Sequence, residues 1–261
     1  MSSQNIQSLF GAAQAGGDIG AGAAQVLNIP DLGVQIQAGL GVSVDDVVAS
    51  EVTLVTLLVD DSGSIDAAGN EQVVRDGCNA IMDALGKSKQ ADGVLISIRY
   101  LNGKVLTPYA PLDQAPRLDG SNYRANGGTP LYDQSVVICG QVIAKRQEFT
   151  DGGVACRGVT AIVTDGSDLG SRRNSANDVA KIVKDMMLTE AHIVIGMGID
   201  DGDTDFRKIF GDMGISDKWI LTPGNSQSEI RQAFAVVSQS AVRASQGATG
   251  FSQAAGAGFT S

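Results

Sequence analysis

The stretch LVDDSGSI, residues 58–65, closes an apolar run with Asp60 and Asp61 and then sets Ser62 and Ser64 on either side of a glycine. Thr129 follows in GGTPLYD, and Asp165 in AIVTDG. The side chains of Asp60, Ser62, Ser64, Thr129 and Asp165 are all hard oxygen donors, with no histidine or cysteine among them. Hard oxygens that leave several positions to water suit magnesium, which demands near-octahedral geometry and gives up its water reluctantly; manganese or calcium could substitute. Thr129 is a plausible helix N-cap and Pro130 suits the first helical position, so a positive dipole end with unpaired N–H groups would add a pull on anions there. Each stretch also has an ordinary use: DDSGS and TDGS as turns, GGTP as a helix start. Their joint meaning depends on whether the surrounding elements bring the oxygens together.

Between about residues 51 and 246, short β-like runs alternate with helical ones. EVTLVTLLVD, rich in leucine and β-branched residues, predicts a strand covered on both faces. A helical pattern follows, with Val73, Val74, Cys78, Ile81, Met82 and Leu85 near one face. VLISIRYLNGKVLTPYAPL predicts two extended runs joined at Asn102-Gly103, a strong hairpin signal. Next come the helix that starts near Thr129, the strand GVTAIVTDG, the helix SANDVAKIVKDMML and the strand HIVIGMGID. A short helix near TDFRKIFGDM, the strand KWILTP and a last helix from about Ser226, with Ile230, Phe234, Val237 and Ala241 at helical spacing, complete the pattern. Such alternation implies an α/β fold with a doubly wound, mostly parallel six-stranded sheet, the hairpin supplying one antiparallel edge strand. In these sheets ligands sit outside the carboxyl ends of the strands, where the strand order reverses. All three oxygen-bearing loops fall on that edge.

Asp60-x-Ser62-x-Ser64, then Thr129 in GGTPLYD and Asp165 in VTDG, resembles the metal-ion-dependent adhesion site (MIDAS) of von Willebrand factor A (VWA) domains, over residues 51–246. The resemblance implies a Rossmann-like VWA fold and a metal-dependent protein–protein interaction module, not an enzyme. It implies that Ser62, Ser64 and Thr129 can ligate magnesium directly, that Asp60 and Asp165 hold it, often through water, and that a protein partner supplies an Asp or Glu side chain to the open position. Neutral hydroxyls next to the ion would leave more of its charge for that incoming acid than a ring of carboxylates would. Similar bacterial domains often work beside AAA-type ATPases, and in the family the last helix moves with metal occupancy.

Enzymatic readings find less support. Asp60-Asp61 after a strand is faintly similar to aspartyl phosphotransferases of the haloacid dehalogenase kind, but Ser62 stands where their second aspartate would be. Response-regulator receivers also begin with paired acids, yet the spacing of their later aspartate and lysine does not fit. Gly196-x-Gly198 lacks the third glycine of a dinucleotide loop, and neither a Walker A pattern nor a G-x-S-x-G elbow occurs. His192, the sole histidine, reads as a packing or surface residue, Asp61 as a solvated or supporting acid, and Asp133 and Asp168 as surface acids near the rim of the site.

Composition narrows the partners. The chain carries 19 basic and 29 acidic residues, a formal charge of -10, which disfavours nucleic acid and anionic membranes. No apolar run approaches the roughly 18 residues needed to cross a bilayer. The first thirty residues lack the basic start and apolar block of a signal peptide, so a cytoplasmic location is expected. Cys78, Cys139 and Cys156 are odd in number and lack metal-ligand spacing, as buried reduced thiols would.

The two ends read differently. Residues 1–50 contain no lysine or arginine and are rich in Gly, Ala and Gln. Ile6, Leu9, Phe10 and Ala13 could form one face of a short helix, whereas Leu32, Val34, Ile36, Ala38, Leu40, Val42 and Val44 alternate strictly and predict a strand or hairpin. A free strand with one apolar face seeks an edge, its own domain's or another copy's, which makes a self-assembling structural subunit the alternative function. Residues 247–261 form a low-complexity tail, expected to be flexible unless something docks its two phenylalanines.

Overall fold

The computed structural model describes residues 3–259. Along the chain, α1 (Ser3–Ala15), α2 (Ala21–Leu27) and α3 (Pro30–Gln37) precede β1 (Glu51–Val59), α4 (Gly63–Ala67) and α5 (Glu71–Gly86). The hairpin β2 (Val94–Tyr100) and β3 (Val105–Pro111) leads into α6 (Leu131–Asp151), β4 (Ala155–Thr164), α7 (Ala176–Leu188) and β5 (His192–Gly198). Then follow α8 (Phe206–Asp212), β6 (Ile220–Leu221), α9 (Gln227–Ser245) and α10 (Gly247–Ala257).

The sheet runs β3-β2-β1-β4-β5-β6, with only β2 and β3 antiparallel. Its centre is β1, buried at every residue after Glu51, as its leucine and β-branched run requires. The strand pairs in parallel with β2 on one side, up to Val59 opposite Tyr100, and with β4 on the other, up to Val59 opposite Val163. Strand order therefore reverses at the carboxyl ends of β1 and β4, where loops to either side leave room for a ligand. Helices flank this sheet: α5 packs on α9, and α6 packs on α7 with α1 and α3 laid over it. The expected helix faces hold. Val73, Val74, Cys78, Ile81, Met82 and Leu85 on α5, and Ile230, Phe234, Val237 and Ala241 on α9, are all buried. Cys78, Cys139 and Cys156 are buried free thiols.

The alternating segment 32–44 is not a strand. Pro30 occupies the first turn of α3 and Asp31 follows it, a helix-start signal that competes with the period-two pattern. Leu32, Ile36 and Leu40 are buried four residues apart, while Val34, which a strand would have buried beside them, is 66% exposed. The segment then meets the outer edge of the sheet for only one residue: Val42 N–H donates to the Tyr109 carbonyl at 3.0 Å and Tyr109 N–H donates to the Gly39 carbonyl at 3.0 Å. Ile6, Leu9, Phe10 and Ala13 do line the buried face of α1. Over its described residues the N-terminal extension thus covers α6 of its own chain and offers no free strand to another copy.

Two fully buried cations hold it there. Arg99 donates to the Gln35 carbonyl, and Lys145 donates to the Val42 carbonyl and to Glu148 at 3.0 Å. The C-terminal segment is also ordered over its described residues. Phe251 is fully buried with the Arg157 guanidinium 6.0 Å from its ring, and Phe259 meets Trp219 edge-on at 5.0 Å. Lys218 caps α10 by donating to the Ala255 and Gly256 carbonyls.

Candidate functional site

Asp60 continues β1 by one residue, its N–H donating to the Val163 carbonyl at 2.9 Å. Its carboxylate is fully buried and works on the local backbone. One oxygen accepts from Ser62 N–H at 2.7 Å; the other accepts from the Thr164 hydroxyl at 2.6 Å and from Asp165 N–H at 3.4 Å. Tyr123 donates its hydroxyl to the Asp60 carbonyl. Sequence alone gave Tyr123 no role, since its reach to Asp60 is purely tertiary. Ser62 forms an isolated parallel bridge with Gly127, and Gly127 N–H donates to the Asp61 carbonyl at 2.8 Å. This bridge ties the loop after β1 to the loop that ends at Thr129.

Three side-chain oxygens then converge. Ser62 Oγ lies 2.9 Å from Ser64 Oγ, and the Asp165 carboxylate accepts from Ser64 Oγ at 2.6 Å and from Ser62 Oγ at 3.5 Å. Asp60, Ser62, Ser64 and Asp165 therefore form one connected cluster across the ends of β1 and β4. Thr129 is buried and joins through Gly127, two residues before it; among the described residues no hydrogen bond links its hydroxyl to the other four.

Several surrounding expectations need correction. Asp61 is not solvated: it is 1% exposed and accepts from Asn102 N–H at 3.0 Å, fixing the β2–β3 turn. Thr129 is not the N-cap of α6, because Pro130 takes that position. The first-turn N–H groups are not free for an anion either. Tyr132 N–H donates to Asp168 at 3.1 Å and Asp133 N–H to Ser171 Oγ at 2.9 Å, so a loop from β4 caps the helix and its carboxylate already meets the positive dipole end. Asp133 in return accepts from the N–H groups of Arg172, Arg173 and Asn174. His192 begins β5, at the end of the sheet opposite this cluster, and is buried.

The electrostatics suit a cation. Burial pushes the Asp165 carboxyl up to about 6; the Ser64 hydroxyl opposes this, while Asp60 and Asp201 add to it. Burial likewise pushes Asp61 up to about 6, opposed by the Asn102 N–H and reinforced by Asp60. Among the described residues no ion pair to Lys or Arg offsets these crowded acids.

The donor set also fits a small hard ion. Neighbouring ligands of an octahedral ion with bonds of 2.0–2.1 Å lie about 2.9 Å apart, and the two serine oxygens are separated by 2.9 Å. No group of three or more His, Cys, Asp or Glu side chains among the described residues is placed to hold a metal. An ion in this cluster would lean on the serine hydroxyls as well as on a carboxylate.

No protein-family model matches the sequence, and no curated protein sequence matches it either. Solved structures do. The pilus adhesin SpaC of Lactobacillus rhamnosus GG, in its open conformation, superposes with a TM-score of 0.54 at 14% identity, over 76% of this chain and 31% of SpaC. Proximal thread matrix protein 1 from the mussel byssus gives 0.52 at 16% identity, over 74% of this chain and 47% of its own. Another structure of the mussel protein, with the same TM-score and identity, has a zinc-occupied MIDAS motif. This chain spans less than half the length of either protein. At these identities the likeness is one of fold, the six-stranded α/β, VWA-like sheet. No helix among the described residues is long and apolar enough to cross a membrane.

Proposed function

We propose that this chain is a metal-dependent protein-interaction module that binds an acidic side chain of a partner through a divalent ion, magnesium first, held by Asp60, Ser62, Ser64, Thr129 and Asp165. The carrying observation is the cluster of Ser62, Ser64 and Asp165 oxygens at 2.6–3.5 Å, beyond the ends of β1 and β4 where strand order reverses. A bound ion would supply the positive charge to which a partner's carboxylate is drawn. The chain's own part is positional: Asp60 pins the serine loop and the end of β4, and Ser62 ties that loop to Gly127 and so to Thr129. Ser64 is exposed and can meet a ligand from outside. A zinc-occupied MIDAS in the mussel protein, on the same fold, supports a divalent cation here. Buried unpaired cysteines suit the reducing cytoplasm.

Isothermal titration of magnesium and manganese into wild type, Ser64→Ala and Asp165→Asn tests this. Affinity is expected to fall about 10–100-fold in each variant, the usual effect of altering the groups around a metal. Unchanged affinity in both variants contradicts the proposal.

A further inference from the structure

We infer that the partner segment carries, beside the acid given to the metal, an apolar residue that packs on Leu169 and a second acidic residue that meets Arg172. This rests on the metal-site reading above and adds the chemistry of the partner to it. Leu169 is 83% exposed, yet its N–H donates to the Thr129 carbonyl at 3.0 Å, so a large apolar side chain is fixed in solvent one residue contact from the site. Three residues on, Arg172 is exposed with its N–H held by Asp133 at 2.8 Å. Three residues of chain span at most about 11 Å, so Arg172 lies within that distance of Leu169 on the same loop, which meets Thr129 at Leu169.

The two arginines of this loop differ. Arg173 pairs with Asp31 of α3 at 3.0 Å, whereas the Arg172 guanidinium has no ion pair or hydrogen bond among the described residues. The loop that holds them is rigid, since Asp133 grips three successive N–H groups and Asp168 caps α6. The acids beside Arg172, Asp133 and Asp168, are half-buried and bonded to backbone N–H groups. The loop after β5 instead exposes Asp200, Asp201 and Asp203, and Asp201 is close enough to push on Asp165. An acidic segment is repelled there and attracted toward Arg172, which sets the direction in which it lies.

An array of immobilised hexapeptides tests this, each with one central Asp and with Gly, Leu, Glu or Lys at the flanking positions, probed with the full chain in magnesium. Wild type is expected to select Leu and Glu flanks, with Glu favoured over Lys by about fivefold, the upper range for an exposed ion pair. Arg172→Glu should turn that preference toward Lys, and Leu169→Ser should erase the preference for Leu. Manganese titration of the same variants, without peptide, should match wild type within about threefold, since neither side chain is a metal donor. The inference is overturned if manganese binds normally but flank selection is absent, or is the same in wild type and Arg172→Glu. Failure of wild type to bind manganese overturns the underlying metal reading instead.

Discussion

Replacing Asp60 in two ways should separate its structural work from its charge. Asp60→Ala removes the acceptor for Ser62 N–H, the Thr164 hydroxyl and Asp165 N–H, at 2.7, 2.6 and 3.4 Å, in a fully buried position. The Thr164 hydroxyl keeps an alternative in the Gly166 carbonyl at 3.1 Å, so Ser62 N–H is the principal orphan and Asp165 N–H a minor one. An unsatisfied buried donor costs about 1–3 kcal/mol. Relief of charge crowding on Asp61 and Asp165 offsets part of this. A net loss of about 2–3 kcal/mol should lower Tm by about 4–12 °C in a chain of this size.

Asp60→Asn behaves differently. Its carbonyl can still accept from Ser62, and its amide can donate to Thr164 Oγ once that hydroxyl turns to Gly166. Stability should fall by less than in Asp60→Ala, because Ser62 N–H stays partnered and only Asp165 N–H, held at 3.4 Å, loses its acceptor. Metal affinity should nevertheless fall about 10–100-fold with the lost charge. Thermal melts read the first quantity and calorimetric titration the second. Equal destabilisation of the two variants, or wild-type metal affinity in Asp60→Asn, would refute this division of labour.

Two further predictions concern the supporting structure. Gly41 has φ +62° and a Cβ there would sit 2.0 Å from the Tyr109 carbonyl oxygen, whereas Gly17, at φ +82°, has open space around it. Gly17→Ala should cost only the left-handed backbone penalty of about 1–2 kcal/mol, and Gly41→Ala measurably more in chemical denaturation; equal costs would mean the edge contact at Tyr109 is loose. Burial pushes His192 down from 6.5 to about 3, with Arg146 adding to the effect. Between those values the unfolded chain binds a proton that the folded chain refuses. Stability from the neutral histidine is thus complete above pH 6.5 and declines as pH falls, by about 3 kcal/mol at pH 4.5. Asp61 and Asp165, pushed up to about 6, act in the opposite sense, so the readout is the difference between wild type and His192→Gln. A difference that does not vary with pH contradicts the buried neutral state.

The strands and the grouping of the serine loop with Asp165 are legible because each strand end is set by local pattern and the parallel order brings those ends together. β1 reads as a two-sided strand from its own residues, and the spacing of Asp60, Ser62 and Ser64 survives folding because one short loop carries all three. The segment 32–44 was not legible in that way. Its alternation contains a second pattern, Leu32, Ile36 and Leu40 at every fourth residue, and Pro30-Asp31 decides for the helix. The exposure of Val34 is what a strand could not have produced. Thr129 was misplaced by one position because the cap of α6 comes from Asp168 and Ser171, more than thirty residues away in sequence. The order of the C-terminal segment likewise depends on Trp219 and Arg157, which no local pattern in a Gly/Ala-rich stretch announces.

Manganese titration followed by backbone NMR locates the bound ion, since a paramagnetic ion broadens the amides nearest to it. Saturable loss of the Ser62, Gly63, Ser64, Thr129 and Asp165 resonances is expected in wild type, at manganese concentrations that leave those signals intact in Asp165→Asn. Broadening confined to the loop of Asp200, Asp201 and Asp203, or spread evenly over the acidic surface, would contradict that expectation.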